Sequence, residues 1–244
     1  MQDAVRTGWL TPEEDVLALS VLGGLGWNLR HVFPRTVRFD PAGAAALCET
    51  STFAAALRMF TRKLVHLHRK PVLLKSPPHI DWLPGILRVF PQARFVTIFR
   101  DPLRHYASLR AAERAGGPTW SALQCAPGLD DDDRLAGVEF SLERYFSSGR
   151  HLIPAGSLVE IRHEDLVADE PGTLLRIQRA LAGSGPPGLG LSAPGAACEP
   201  RPYATNVYPE PDAATCTRII RAYRHLYEAG YYRPPGRQSA DGSG

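Results

Sequence analysis

An arginine and a serine eight positions apart are the residues most suggestive of chemistry. Arg100 directly follows the apolar run 95–99, and Ser108 lies in the segment that Asp101 opens. A guanidinium can bind phosphate oxygens through charged hydrogen bonds, and a hydroxyl on the following helix can add another. The pair indicates a phosphate site, and the alternative is a structural ion pair of Arg100 with Asp101 or Glu164.

A lysine and a histidine follow another short apolar run, residues 72–74. Lys75 offers a compact positive charge, and His79 offers a group that exchanges a proton near neutral pH. If both runs are parallel strands, the two pairs lie beyond the same edge of a sheet, where ligands of α/β proteins collect. The alternatives without a role in chemistry are a solvated lysine and a histidine that only caps the helix it opens.

The surrounding pattern predicts an α/β fold, in which a three-layer parallel sheet is flanked by helices. Apolar runs predict strands at 72–74, 95–99 and 158–161, with a crossover helix over 79–90. Because such strands are covered on both faces, we expect buried side chains at Leu74, Val96, Ile98 and Ile161. Periodicity and capping residues predict further helices from Thr11 to Gly23 and over 51–70, 101–113, 134–147, 171–183 and 212–229.

The composition is that of an ordinary globular protein. The chain has 244 residues, is 44% hydrophobic and has a formal net charge of +3. So small an excess does not indicate nucleic-acid binding. The four cysteines lack C-x-x-C spacing, so neither a metal site nor a disulfide scaffold is predicted. The aspartate-rich segment 116–133 is expected to form an exposed loop.

Several segments resemble PAPS-dependent sulfotransferases, and the bacterial-type branch most of all, where PAPS is 3′-phosphoadenosine 5′-phosphosulfate. They occur in the family's order over roughly residues 11–232. The matching segments are LKSPPH at 74–79, FPQARFV at 90–96, RDP at 100–102, LIPAGSLVEIRHEDL at 152–166, Tyr203 with Asn206, and AGY at 229–231.

The resemblance implies a P-loop-NTPase-like fold and transfer of a sulfuryl group from PAPS to a hydroxyl or amine acceptor, without a metal. Arg100 and Ser108 would bind the 3′-phosphate of PAPS. Lys75 would lie near the sulfuryl group, and His79 would take the acceptor's proton. His163 stands where relatives carry Tyr or Phe near the adenine.

Tyr203 and Asn206 fall in the family's C-terminal region and are assigned to the cofactor side, with an ordinary turn as the alternative. Glu164 and Asp165 are expected to be structural caps. The tyrosines at 223, 227, 231 and 232 are expected to pack within the core rather than to form a ligand cage.

One family feature is not found in the sequence. Relatives begin with a strand and a Pro-Arg-Ser-Gly-Thr-Thr type loop that binds the 5′-phosphosulfate. Here the glycines from Gly23 to Gly26 are followed by Trp27 and Asn28, so we interpret them as a helix end. We therefore expect a sulfotransferase-like domain over 1–232 that lacks the first strand and loop, followed by a disordered tail, 233–244. The alternative is a noncatalytic remnant or partner-binding module.

The remaining expectations concern partners and location. The acceptor is expected to be a small molecule, and neither nucleic acid nor a membrane is expected as a partner. A homo-oligomer is left open, because a sheet short of one strand should expose an apolar edge. With neither a membrane span nor a leader pattern in the sequence, a cytoplasmic location is expected.

Overall fold

The structure is a computed structural model that describes residues 15–23, 40–114, 131–182 and 206–235. These parts form a helix-rich α/β arrangement with a small parallel sheet. The strands are β1 (Phe95–Phe99) and β2 (Leu158–Arg162). The helices are α1 (Asp15–Gly23), α2 (Pro41–Ala46), α3 (Ser51–His68), α4 (Leu83–Val89), α5 (Pro102–Arg114), α6 (Asp131–Ser147), α7 (His163–Ala168), α8 (Glu170–Ala182), α9 (Ala213–Ala222) and α10 (Arg224–Glu228).

Side-chain caps fix several helix starts where the sequence predicts them. The Thr50 hydroxyl accepts the Phe53 amide at the start of α3, and Asp212 accepts the Thr215 amide at α9. At α5, the Asp101 carboxylate accepts the Arg104 amide at 2.9 Å. Each cap satisfies a backbone donor that the first helical turn leaves unpaired.

The sheet is parallel, as predicted, and its register aligns the ends of the two strands. Phe95 pairs with Leu158 and Phe99 with Arg162. Thr97 and Glu160 face α6, because the Tyr145 hydroxyl lies 3.2 Å from Thr97 Oγ1 and 2.6 Å from Glu160 Oε1. The α6 side of the sheet is therefore fixed by polar as well as apolar contacts.

Two apolar clusters hold the described parts together. The first packs β1, α6 and the C-terminal helices, and it includes the predicted tyrosines, with Tyr223 fully buried and the other three against it. The second packs α1, α3 and α4 around Trp82. Helix α4 joins them, since its Leu83 belongs to the first cluster and its Ile86 to the second.

The predicted strand at 72–74 is wrong. These residues form neither helix nor strand, and the sheet described here consists of β1 and β2 only. Leu73 is 93% exposed, whereas Leu74 packs against the second cluster. An apolar run becomes a strand only where a neighbouring strand accepts its hydrogen bonds, and no described strand lies beside this one. The predicted helix 79–90 is also shorter, because a 3₁₀ turn at Pro77–Ile80 precedes α4.

The predicted burial on the strands is wrong for three of four residues. Ile161 is 2% exposed, but Val96 and Ile98 are 39% and 51% exposed, and Leu74 is half-buried. Helix α8 packs on β2, so the far face of the sheet is covered over β2 and open over β1. Val96 and Ile98 therefore form an exposed apolar surface on a face of the sheet, and the expected apolar edge stays a prediction.

The aspartate run was predicted as loop, but its last three residues form the first turn of α6. Asp131 accepts a hydrogen bond from Arg134, and Asp132 pairs with Arg218. Negative charge is favourable at a helix N-terminus, which explains why the run starts a helix. Among the described helices, none has the length and apolar composition needed to cross a bilayer.

Candidate phosphate and proton-transfer site

Arg100 and His163 leave neighbouring strands side by side. The sheet register pairs Phe99, the last residue of β1, with Arg162, the last residue of β2. Arg100 follows β1 directly, and His163 follows β2 directly. Because the strands are parallel, both residues emerge at the carboxyl edge, where α/β proteins bind ligands. The positive charge of Arg100 acts on His163 across this edge. The structure therefore brings together two of the predicted cofactor residues.

The carboxylates considered as ion-pair partners of Arg100 accept hydrogen bonds from other groups. Glu164 accepts the Asp101 amide at 3.0 Å through Oε1 and the Tyr232 hydroxyl at 2.7 Å through Oε2. The Asp101 carboxylate caps α5. Within the described part of the chain, no carboxylate lies within 4.0 Å of the Arg100 guanidinium. The ion-pair alternative for Arg100 is thus unsupported, and Glu164 has the structural role predicted for it.

Burial, hydrogen bonds and the charge of Arg100 set the protonation of the groups at this edge. Burial alone would raise the pKa of Glu164, but the hydrogen bonds from Asp101 and Tyr232 lower it, so this carboxylate stays ionised and bonded. Burial lowers the pKa of His163, and the charge of Arg100 lowers it further. His163 is therefore held as a neutral ring beside a cation, which a phosphate would balance.

The charge of Arg100 also acts on a second histidine. His105, on α5, has its Nδ1 atom 2.8 Å from the hydroxyl of the fully buried Tyr223. Burial, with Arg100 as the second cause, lowers the pKa of His105 to about 4. Ser108 follows one helical turn later and is half-buried. Of these two α5 residues, His105 is close enough to Arg100 to be affected by its charge, and Ser108 lies three residues further along the helix.

His79 lies in the 3₁₀ turn at Pro77–Ile80 and is bonded to a carboxylate from a distant part of the chain. Its Nε2 atom is 2.7 Å from Oδ2 of Asp15, and the Asp15 side chain is only 4% exposed. The other oxygen of Asp15 has no hydrogen-bond partner in the described parts. The Ser76 hydroxyl approaches the Val16 amide at 3.4 Å and joins the turn to α1. Asp15 thus engages Nε2, and Nδ1 is the other ring nitrogen of His79.

The role of Asp15 was missed at the level of sequence. Asp15 and His79 are 64 positions apart, and neither forms a recognisable motif with the other. The helix-start signal around Glu13 and Glu14 suggested only capping roles for acidic residues there. The prediction that His79 merely caps a helix is also insufficient, because its ring is bonded to the Asp15 side chain.

The other predicted site residues have less structural support. Lys75 is exposed. Asn206 is exposed and donates a hydrogen bond to the Tyr208 hydroxyl at 3.2 Å. Tyr203 lies outside the described residues. Asp165, predicted to be a cap, instead forms an ion pair with Arg162. In the regions described, no group of three potential ligands among His, Cys, Asp and Glu could hold a metal ion.

Comparisons with known proteins identify the family of this chain. The chain is 33% identical over 140 residues to the omega-hydroxy-beta-dihydromenaquinone-9 sulfotransferase Stf3 of Mycobacterium bovis, and to the protein of the same name from Mycobacterium tuberculosis. The alignment covers 54% of this chain and 34% of each relative, so the chain spans about a third of their length. No solved structure matches. The model of the sulfotransferase family matches residues 26–183, more than half of the chain, which therefore belongs to the sulfotransferase family.

Proposed function

We propose that this chain binds PAPS and takes part in transfer of its sulfuryl group to an acceptor hydroxyl or amine. The observation that carries the proposal is Arg100, a cation at the carboxyl edge of the sheet whose neighbouring carboxylates are hydrogen bonded elsewhere. A phosphate is the partner that such an arginine lacks. Membership in the sulfotransferase family makes a nucleotide 3′-phosphate the natural candidate.

The cofactor residues are assigned by what each side chain can do. Arg100 would bind the 3′-phosphate by charged hydrogen bonds, and the Ser108 hydroxyl would add a neutral one. His163, neutral because of burial and of Arg100, would lie against the adenine ring. Tyr203 and Asn206 would contribute from the C-terminal side. When bound, PAPS would supply the sulfuryl group.

The proton-transfer residues are His79 and Asp15. We assign the Nε2 proton of His79 to the hydrogen bond with Asp15, which leaves Nδ1 able to accept the proton of the acceptor. The buried carboxylate would then stabilise the protonated imidazole. Lys75 would place positive charge near the sulfuryl oxygens. No metal is needed for these steps.

The finer fold belongs to the same proposal. We propose a three-layer, P-loop-NTPase-like architecture in which β1 and β2 form part of a larger parallel sheet. The open face over Val96 and Ile98 supports it, because apolar side chains in a parallel sheet normally meet a covering element. The loop that binds the 5′-phosphosulfate in relatives has no counterpart string in this sequence. We therefore expect weak PAPS binding and slow transfer.

We propose a hydroxyl rather than an amine as the acceptor. The two mycobacterial relatives are named for an omega-hydroxy compound, which is an acceptor with a hydroxyl. The alignment spans a third of those proteins, so the acceptor assignment remains a proposal for this chain.

Transfer can be tested with PAPS that carries labelled sulfur. The chain is incubated with labelled PAPS and with matched alcohols and amines, and labelled products are separated by chromatography. We expect slow labelling of alcohols that requires the chain and disappears with Arg100→Ala. Nucleotide binding without labelling of any acceptor would favour the noncatalytic alternative, and absence of both would reject the proposed function.

A further inference from the structure

The positive charge of this protein is concentrated on one helix and its end. Between Glu49 and Asp81 the sequence contains no acidic residue. The same stretch contains all three lysines of the chain and the arginines Arg58, Arg62 and Arg69. Because the formal net charge of the whole chain is only +3, the rest of the molecule is net acidic. The cationic character is thus local, and three of these six cations, Arg58, Arg62 and Lys63, lie on α3.

Helix α3 buries one side and exposes the other. Phe53, Ala56, Leu57 and Thr61 are buried on its inner side. The outer side forms a shallow groove surface. Within the described chain, its lining residues all belong to α3: Ala55, Arg58, Met59, Arg62, Lys63, His66 and Leu67. We call these seven residues the α3 outer face.

The α3 outer face combines cations with exposed apolar side chains. Leu67 is 73% exposed and Met59 is 40% exposed, and Val65 next to the face is 47% exposed. Arg58, Arg62 and Lys63 are exposed around them. The apolar side of α3 is buried in the protein, but a helix face with Lys and Arg beside exposed aliphatic side chains can bind an anionic bilayer, at its headgroups and at its acyl boundary. The charge of such a surface complements the cations, and its acyl boundary accepts the aliphatic side chains.

We propose that the α3 outer face binds peripherally to the surface of an anionic lipid bilayer. The cations would lie at the headgroups, and Met59 and Leu67 would enter the boundary between headgroups and acyl chains. No membrane-spanning helix is needed, so the inference replaces the sequence-based expectation that a membrane is not a partner. It is independent of the proposed sulfuryl transfer, because none of these residues belongs to the candidate site.

A nucleic acid is the competing anionic partner, and the apolar residues argue against it. A polynucleotide is bound by Lys and Arg at its phosphates and by stacking on aromatic side chains. The α3 outer face has no Phe, Tyr or Trp, and Leu67 is its most exposed large apolar side chain. These aliphatic groups gain contacts from a lipid boundary and none from a phosphate backbone.

Vesicle co-sedimentation of the full chain tests the proposal. Vesicles of phosphatidylcholine alone are compared with vesicles that also contain phosphatidylglycerol. We expect binding to the anionic vesicles only, weakened by salt. The triple change Arg58→Gln, Arg62→Gln, Lys63→Gln should reduce partitioning on the order of a hundredfold, since each cation contributes about 1 kcal/mol at such a surface. The pair Met59→Ala, Leu67→Ala should reduce it roughly tenfold.

A matched control removes the same charge elsewhere. Arg176, Arg179 and Arg221 are exposed on α8 and α9, and their replacement by Gln should leave partitioning nearly unchanged. Thermal unfolding of each variant verifies that it is folded. Equal loss in the control triple would show that net charge alone drives binding and would overturn the proposal. So would equal binding to neutral vesicles, no binding to either vesicle, or tighter binding to duplex DNA that survives the Met59 and Leu67 changes.

Discussion

Arg100 and His79 are both predicted site residues with basic side chains, but their surroundings are opposite. The carboxylates near Arg100 are bonded to backbone and tyrosine groups, so the cation can meet an external anion. His79 is bonded to Asp15, a carboxylate buried to 4% exposure. An unneutralised arginine suits phosphate binding, whereas a histidine held by a buried carboxylate suits proton transfer. The comparison predicts that substitutions at the two residues have different effects. Loss of Arg100 should lower the affinity for the nucleotide, and loss of His79 should lower the rate of transfer.

The largest expected effect is on the rate of transfer. Replacement of His79 by Ala should slow sulfuryl transfer by on the order of 10²- to 10⁴-fold, because the general base is lost. The affinity for 3′-phosphoadenosine 5′-phosphate should not change. Labelled transfer and calorimetry measure the two quantities. His151→Ala, an exposed histidine in another turn, is the control. A wild-type rate in His79→Ala would place the base elsewhere.

His105, which is buried near Arg100, should make the free energy of unfolding depend on pH. Burial and Arg100 hold the pKa of His105 at about 4, below its ordinary value of 6.5. The folded state therefore binds this proton more weakly than the unfolded state. The neutral His105 ring therefore makes its full contribution to the free energy of unfolding above about pH 6.5. That contribution, about 3 kcal/mol, is lost as the pH falls toward 4.

Urea unfolding of the wild type and of His105→Gln at a series of pH values checks this prediction. The variant retains a polar partner for Tyr223 but has no proton to gain. Its free energy of unfolding should fall less steeply below pH 6.5. Two parallel curves would mean that His105 is protonated equally well in both states, and the buried, Arg100-facing environment would be wrong.

Asp15→Asn should affect rate without affecting nucleotide affinity. The amide retains the shape of the carboxylate but cannot stabilise a protonated imidazole, so we expect transfer to slow by roughly 10- to 100-fold. Nitrogen NMR of His79 should also show loss of a single preferred tautomer. Asp40→Asn, at the carboxylate that caps α2, is a control for general loss of an acidic side chain. An unchanged rate and tautomer would reduce Asp15 to a packing residue.

The smallest effect is expected from Ser108. Loss of its hydroxyl should weaken binding of 3′-phosphoadenosine 5′-phosphate by about 1 kcal/mol, the usual contribution of a neutral hydrogen bond. Binding of adenosine monophosphate should not change, because it lacks the group that Ser108 would contact. Ser148→Ala, whose hydroxyl bonds within its own turn, serves as the control in the same titrations. Equal weakening of both nucleotides would remove Ser108 from the phosphate site.

The position of Arg100 was predicted better from the sequence than the surroundings of His79. The reason is that the position of Arg100 depends on residues close to it along the chain, whereas the partner of His79 is distant. Asp101, Pro102 and the run 95–99 define a strand followed by a capped helix, so the position of Arg100 follows from local signals. The bond between Asp15 and His79 joins residues 64 positions apart and depends on how α1 packs. No periodicity or spacing records that packing.

The burial of individual side chains also could not be predicted from local sequence patterns. The run 72–74 is as apolar as a strand, but a strand requires a partner that the run itself cannot specify. Val96 and Ile98 alternate with less exposed neighbours as strand residues should, yet their own exposure depends on which helices cover the sheet. The strands at 95–99 and 158–162 were predicted correctly because their β-branched residues and flanking turns agree with their pairing.

The central claim is that Arg100 binds a 3′-phosphate, and calorimetry with two nucleotides tests it most directly. The wild type should bind 3′-phosphoadenosine 5′-phosphate more tightly than adenosine monophosphate, and Arg100→Ala should erase that preference at a loss of about 2 to 3 kcal/mol. Arg104→Ala, an exposed arginine on α5, should retain the preference. Equal affinity of the wild type for the two nucleotides, or a preference that Arg100→Ala leaves intact, would contradict the claim.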